Sequence, residues 1–156
     1  MMNIEFKRLT EINISEIIEL MNNPLVRRHM PLAQGYFDET ACSAFIAAKD
    51  QIWKEHGYGP WAFVVAGTFV GWGGLQPEHN DVEVALVLHP KSWGLGKTLF
   101  DEIVHRAFTE LGLSSVVVLF PPSRTRVKAL LRSGFQHDGE CEIEGKQFLR
   151  YRLYAK

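Results

Sequence analysis

Apolar residues along this chain follow two different spacings, and each change of spacing marks a new element. Recurrence every three to four residues is typical of an amphipathic helix, whereas alternation or a short continuous apolar run is typical of a strand. The pattern predicts strands over 4–9, 61–66, 68–75, 82–88, 115–120, 135–142 and 146–154. It predicts helices from cap Asn13 to Asn22, from cap Asp38 to Gly57, over 96–111, and from Ser123 or Thr125 to Arg132.

One βαβ unit stands among strands that are joined by short turns. The strand over 82–88, the helix over 96–111 and the strand over 115–120 predict a parallel pair with a right-handed crossover. The remaining strands are expected to pair antiparallel. In the short helix before Arg132, residues Val127, Leu130 and Leu131 are expected to be buried. The fold class is therefore α+β with a mixed sheet, and residues 1–156 are predicted to form a single domain.

The stretch from Lys91 to Gly96, called the glycine loop below, has the features of an anion-binding site. It follows a predicted buried strand and leads into a helix, whose first turn presents free backbone N–H groups and partial positive charge. Gly94 and Gly96 allow the backbone to approach a ligand without an intervening side chain. The strand that leads into the loop carries one acidic residue within an apolar segment, Glu83.

Composition excludes several classes of partner. The 156 residues include 17 basic and 18 acidic side chains, and this balance gives no electrostatic reason to expect a nucleic acid or a membrane surface as partner. The sequence has no apolar run of membrane-spanning length, and Met1 to Arg8 lack a signal-peptide core. Cys42 and Cys141 lie far apart, so reduced thiols and a cytoplasmic location are expected. The histidines show no metal-ligand spacing, and no metal is predicted.

Four segments, in this order and spacing, together resemble the GCN5-related N-acetyltransferase (GNAT) superfamily. They are Gly57–Ala62, Phe69–Leu75, Val82–Gly96 and Leu131–Phe135. The sequence is particularly similar to the branch that includes ribosomal-protein N-terminal acetyltransferases. The resemblance implies a mostly antiparallel, twisted sheet with helices on both faces. It also implies transfer of acetyl from acetyl-CoA to a primary amine, a protein N-terminus or a small molecule, by direct attack in a ternary complex.

The resemblance assigns the glycine loop to the pyrophosphate of acetyl-CoA and the preceding strand to the pantetheine amides. A bulge in that strand would splay it from the strand over 115–120, and a backbone N–H near Leu86 or Val87 would polarise the thioester carbonyl. Lys91 replaces the family's usual Gln or Arg. The cofactor-binding residues implied are Leu86, Val87, Leu88, Lys91, Ser92, Trp93, Gly94, Leu95, Gly96, Lys97, Ser123 and Arg126.

Glu83 is the candidate general base, since the matching glutamate of the family often acts through a water. The alternative is a glutamate that points outward or pairs with a surface cation. The tyrosine that often serves as general acid corresponds to Leu130, which has no proton to donate. Ser123 either donates to the departing sulfur or caps a helix, and Arg126 either binds phosphate or lies on a solvated helix face.

Arg27, Arg28 and Trp72 are the candidate acceptor-binding residues. In relatives, the segment that contains the arginines borders the acceptor site, and arginine binds carboxylates well. The competing interpretations are a solvated surface patch for the arginines and a core position for Trp72.

A non-catalytic acyl-CoA-binding or sensing module is the alternative function. An unrelated nucleotide-binding protein is disfavoured, because the sequence contains neither a P-loop nor a Rossmann motif. Monomer and homodimer both stay open.

Overall fold

The computed structural model describes residues 3–156, which form a seven-stranded sheet with helices on both faces. Met1 and Met2, which the predicted 1–156 domain includes, lie outside the described residues. The strands are β1 Ile4–Lys7, β2 Pro60–Val65, β3 Thr68–Glu78, β4 Asp81–Leu88, β5 Ser115–Phe120, β6 Gln136–Ile143 and β7 Lys146–Tyr154. The helices are α1 Ile14–Asn22, α2 Pro24–Arg27, α3 Glu39–His56, α4 Gly96–Thr109 and α5 Lys128–Arg132.

The sheet has the strand order β1-β2-β3-β4-β5-β7-β6, and its neighbours are antiparallel except for β4 and β5. This confirms the predicted parallel pair and the mixed α+β class. Within the described residues, β4 and β5 are bridged only at Glu83 and Val117. The predicted bulge at 86–88 is wrong, because β4 keeps an unbroken register with β3 from Asp81 to Leu88. The pairing of the two parallel strands stops after Glu83 without such a bulge.

Both long N-terminal helices begin at the predicted caps. The Asn13 side chain accepts a hydrogen bond from the Ser15 N–H at 3.0 Å, and the Asp38 side chain accepts one from the Ala41 N–H at 2.8 Å. These caps satisfy N–H groups that have no partner inside the helix. Helix α3 ends at Gly57, whose φ of 73° suits glycine.

The segment after β5 differs from the prediction. Helix α5 begins at Lys128 and has no side-chain cap, so neither Ser123 nor Thr125 is a helix cap. Pro121-Pro122 restrict the backbone after β5, and the chain makes a turn there, with the Arg124 N–H donating to the Pro121 carbonyl.

The buried face of α5 is narrower than predicted. Val127 and Leu130 pack on the core, but Leu131 is 47% exposed, because so short a helix covers the core with one side only.

The first strand ends two residues earlier than predicted, at Lys7. Leu9–Glu11 forms a short 3₁₀ helix instead, stabilised by a hydrogen bond from the Arg8 N–H to the Glu11 carboxylate at 2.8 Å. Leu9 is thereby buried against α1 and α3 rather than in the strand.

Two apolar clusters cover the two faces of the sheet. Leu99, Ile103 and Ala107 of α4 belong to one cluster, and residues of α1 and α3 belong to the other. Because side chains alternate along a strand, residues 82, 84, 86 and 88 of β4 face α4. Residues 85 and 87 face α3, and the same alternation places Glu83 there. No helix within residues 3–156 has the length and apolar character needed to cross a membrane.

Candidate active site

The edge of β4 that faces β5 carries backbone groups suited to bind an extended ligand. The Ala85 and Val87 carbonyls point toward β3, since a Cβ on Gly73 or Gly71 would lie only 2.5 or 2.3 Å from them. Backbone groups alternate along a strand, so those of Leu86 point toward the β5 side. Beyond the Glu83–Val117 bridge, no β5 partner is paired there within residues 3–156. Leu86 thus offers an N–H and a carbonyl where the two strands separate.

The glycine loop lies at the carboxyl end of β4, mostly as a 3₁₀ helix over Pro90–Leu95. Helix α4 begins directly after this 3₁₀ helix, at Gly96, the last residue of the glycine loop. No side chain caps α4, and its first turn has no acidic residue. The Gly96 N–H donates to the Trp93 carbonyl, but no side chain caps the other N–H groups of the first turn, and the helix dipole favours negative charge there.

Gly94 and Gly96 are not required by the fold itself. Neither has a positive φ, and a Cβ on Gly94 would meet nothing within 4 Å. A Cβ on Gly96 would meet only the Leu88 Cδ1, at an ordinary 4.0 Å. By contrast, a Cβ on Gly71 or Gly73 would collide with the backbone of β4. The loop glycines border open space, which fits close approach of a phosphate group to the backbone.

A cavity of about 430 Å³ lies beside the glycine loop. Its lining joins the loop to the β2–β3 hairpin, whose contribution the sequence did not indicate. The lining residues are Val65, Val70, Lys91, Ser92, Gly94 and Leu95. None of them belongs to β4. Of the predicted cofactor-binding residues, only residues of the glycine loop therefore line this cavity.

Trp93 of the glycine loop contacts both β4 and the segment that follows α2. Its indole N–H donates to the Leu88 carbonyl at 3.0 Å, while the ring stays 46% exposed. The His29 ring packs edge-on against it, with 5.7 Å between ring centroids. The predicted acceptor segment therefore contacts the loop through His29. Of its arginines, Arg28 is exposed, and the Arg27 guanidinium donates to the Met21 carbonyl at 3.4 Å.

Glu83 lies in a half-buried polar chain that spans two strands and a helix. Gln76 is its direct cross-strand partner on β3, and the Gln76 Nε2 donates to the Glu83 Oε1 at 3.0 Å. The Lys49 Nζ on α3 donates to the Gln76 Oε1 at 2.7 Å. The alternative, in which Glu83 points outward or pairs directly with a surface cation, is wrong, because Glu83 faces α3 and contacts the Lys49 ammonium only through the Gln76 amide.

Burial raises the pKa of Glu83 above its ordinary value. The hydrogen bond from Gln76 lowers that pKa, the negative charge of Glu78 raises it, and the positive charge of Lys49 lowers it. Burial also lowers the pKa of Lys49, against the opposing effect of Glu83. A carboxylate with a raised pKa is a stronger proton acceptor, which is the property that a general base needs.

Trp72 is a core residue in this structure. Its side chain is 4% exposed, its indole N–H points at the Met21 sulfur at 3.4 Å, and the Phe45 ring packs on it. Its predicted contact with an acceptor stays a prediction.

Ser123 and Arg126 are exposed on the turn that follows β5, and their predicted contacts with the cofactor also stay predictions. On the same turn, the Arg124 guanidinium lies 4.0 Å from the centre of the Phe120 ring. Among residues 3–156, no group of three or more His, Cys, Asp or Glu side chains is arranged to hold a metal ion.

Solved structures of acetyltransferases share this fold. An acetyltransferase from Agrobacterium tumefaciens superposes with a TM-score of 0.76 at 18% identity, covering 97% of this chain and 91% of that one. A GNAT-family acetyltransferase from Bacillus anthracis gives 0.73 at 15% identity, with 99% and 98% covered. A mutant of spermidine N-acetyltransferase from Vibrio cholerae gives 0.65 at 13% identity, with 98% and 93% covered. At these identities the likeness establishes the fold alone.

The sequence comparison goes further than the fold. Residues 3–136 match the family model described as the acetyltransferase (GNAT) domain, which spans most of the chain. Members of this family use acetyl-CoA as co-substrate, and the glycine loop and the β4 edge fit such a ligand. The chain therefore belongs to the GNAT acetyltransferase family.

Proposed function

We propose that this protein transfers the acetyl group of acetyl-CoA to a primary amine by direct attack in a ternary complex. The observation that carries the proposal is the pair of loop glycines that nothing in the fold requires, next to an uncapped helix N-terminus. Diphosphate oxygens are suited to such a backbone surface. Acetyl-CoA supplies an acetyl group activated as a thioester.

In this proposal, the backbone of residues 91–97 and the side chain of Lys91 bind the phosphates, together with Arg126 and Ser123 on the turn that follows β5. The β4 edge at 86–88 pairs with the pantetheine amides as an added strand would. Leu86 is favoured over Val87 as the N–H that stabilises developing negative charge on the carbonyl oxygen, because the Val87 backbone faces β3.

Glu83 accepts the proton of the attacking amine, through a water molecule. The amine must be neutral to attack, and an alkyl amine is almost fully protonated at neutral pH. The raised pKa of Glu83 and its location on the same strand as Leu86 support this role. The departing thiol ionises near pH 8.5, so it leaves readily as a thiolate, and Ser123 is the candidate donor if a proton is supplied.

The acceptor is proposed to be a protein N-terminus, as in the ribosomal-protein branch, or a small-molecule amine. Arg27 and Arg28, which directly precede the His29 that packs on Trp93, suit an acceptor that carries an anionic group. Three neighbouring solved structures are named as spermidine N-acetyltransferases, so a polyamine belongs among the amines tested. The proposed location is the cytoplasm, with the protein as monomer or homodimer.

The proposal is tested by release of CoA from acetyl-CoA across a panel of peptide N-termini, polyamines and amino sugars, with the products identified by mass spectrometry. Acetylated product above the uncatalysed background supports it. Tight acetyl-CoA binding with background transfer throughout would instead identify a non-catalytic acyl-CoA-binding module.

A further inference from the structure

The positive charge of Lys49 acts on Glu83, and the surroundings of this lysine are unusual. Its ammonium lies 5.3 Å from the centre of the Phe45 ring and 5.0 Å from that of the Trp72 ring. The Lys49 side chain projects from α3 and is half-buried, and its ammonium donates a 2.7 Å hydrogen bond to the Gln76 amide oxygen. Two aromatic faces and an amide oxygen hold this positive charge in one place.

The chemistry of its two neighbours fixes the orientation of the Gln76 amide. An ammonium group only donates hydrogen bonds, and a carboxylate only accepts them. The amide satisfies both contacts in one orientation, with Oε1 toward Lys49 and Nε2 toward Glu83. Lys49 thereby forces Gln76 to present its N–H₂ group to the carboxylate.

We propose that Lys49 and Gln76 are positioning residues that hold the Glu83 carboxylate in place and keep it ionised for proton transfer. The inference rests on the proposed function, in which Glu83 is the base. Burial alone would favour the protonated, inactive carboxyl group. The amide hydrogen bond and the fixed positive charge oppose that effect without contacting the reacting atoms.

Other charged and titratable groups near Glu83 do not replace this pair. Glu78 is negative and acts in the opposite direction, and Cys141 on β6 lies near enough to sense the Glu83 charge. Asp81, at the start of β4, forms an ion pair with the Arg152 guanidinium at 2.8 Å. Lys49 is the cation that acts on Glu83, and it does so from α3.

The test compares Lys49→Met and Gln76→Leu with the unmodified protein, and measures the Glu83 pKa by carbon-13 NMR of its carboxyl group. The signal is assigned by its loss in Glu83→Gln. Methionine keeps the unbranched stem against the aromatic rings while removing the charge. The matched control is Lys54→Met on the same helix, since the Lys54 side chain is 69% exposed and its ammonium pairs with Asp50 at 3.8 Å.

We expect both variants to raise the Glu83 pKa above that of the unmodified protein, Lys54→Met to leave it unchanged, and Lys49→Arg to restore it. In turnover assays, the acidic limb of the kcat profile moves to higher pH, kcat recovers at alkaline pH, and the KM for acetyl-CoA stays constant. An unchanged Glu83 pKa in both Lys49→Met and Gln76→Leu would overturn the inference.

The NMR measurement separates this inference from the proposed function. A shifted Glu83 pKa with no amine acetylated by the unmodified protein would remove the proposed reaction and leave the positioning role in place. If the unmodified protein acetylates an amine but the Glu83 pKa is unshifted in both variants, the proposed reaction stands and the positioning role is removed.

Discussion

Replacing Gly96 by alanine should stabilise the free protein while weakening acetyl-CoA binding. Gly96 has helical angles, φ −54° and ψ −48°, and an added Cβ would meet only the Leu88 side chain at 4.0 Å. Alanine in such a position is worth about 0.5–1 kcal/mol over glycine. For a domain of this size, that raises the melting temperature by about 1–4 °C.

Binding should change in the opposite direction. A phosphate oxygen accepts from a backbone N–H at about 2.9 Å, and a methyl group in the open space beside the loop prevents that approach. Losing one hydrogen bond to a charged group costs about 1.5–3 kcal/mol. The dissociation constant of acetyl-CoA should therefore rise by roughly 10-fold to more than 100-fold.

The assay pairs thermal unfolding of the free protein with calorimetric titration of acetyl-CoA. The matched control is Gly112→Ala, beyond the opposite end of α4, where an added Cβ also meets nothing within 4 Å but φ is +64°. That variant should lose about 1–2 kcal/mol of stability and keep its affinity. An unchanged acetyl-CoA affinity in Gly96→Ala would refute the assignment of the loop to the diphosphate.

Two further predictions concern how the site is supported. Gly73→Ala would place a Cβ 2.5 Å from the Ala85 carbonyl, so β4 must shift; we expect a loss of about 1–3 kcal/mol in the free energy of unfolding by denaturant titration. The hydrogen bond from Arg152, assisted by its positive charge, lowers the pKa of Asp138. This pairing therefore stabilises the fold at pH values above the ordinary aspartate pKa, and the stabilisation is lost as the pH falls through the pKa of the folded protein. Asp138→Asn should therefore lower the melting temperature at neutral pH and flatten its decline in acid, and an equal decline in both proteins would contradict this.

Local signals in the amino-acid sequence are enough to locate the donor side of the site. The change from strand to helix spacing around the glycine loop is a property of adjacent residues, and so is the single acid in the apolar strand over 82–88. These signals predicted β4, α4 and the parallel partner β5. They also predicted the family, because its glycine and strand segments occur in a fixed order.

Features that depend on the packing of distant segments were not predictable in this way. Lys49 follows Phe45 by one helical turn, but its contact with Gln76 depends on how α3 lies across the sheet. The bulge expected at 86–88 was inferred from the family, whereas the structure keeps an unbroken β3–β4 register and ends the β4–β5 pairing after Glu83. Ser123 has the right chemistry for a cap, but the two prolines before it lead the chain into a turn.

Glu83→Gln is the sharpest test of whether Glu83 accepts the proton of the attacking amine. The amide keeps the size of the side chain and an oxygen that accepts from Gln76, but it does not take up a proton at neutral pH. With the best amine of the panel, we expect kcat of the variant to fall about 10²–10⁴-fold. The acetyl-CoA affinity should stay unchanged, and the acidic limb of the pH profile should disappear. A variant with the kcat and pH profile of the unmodified enzyme would contradict it.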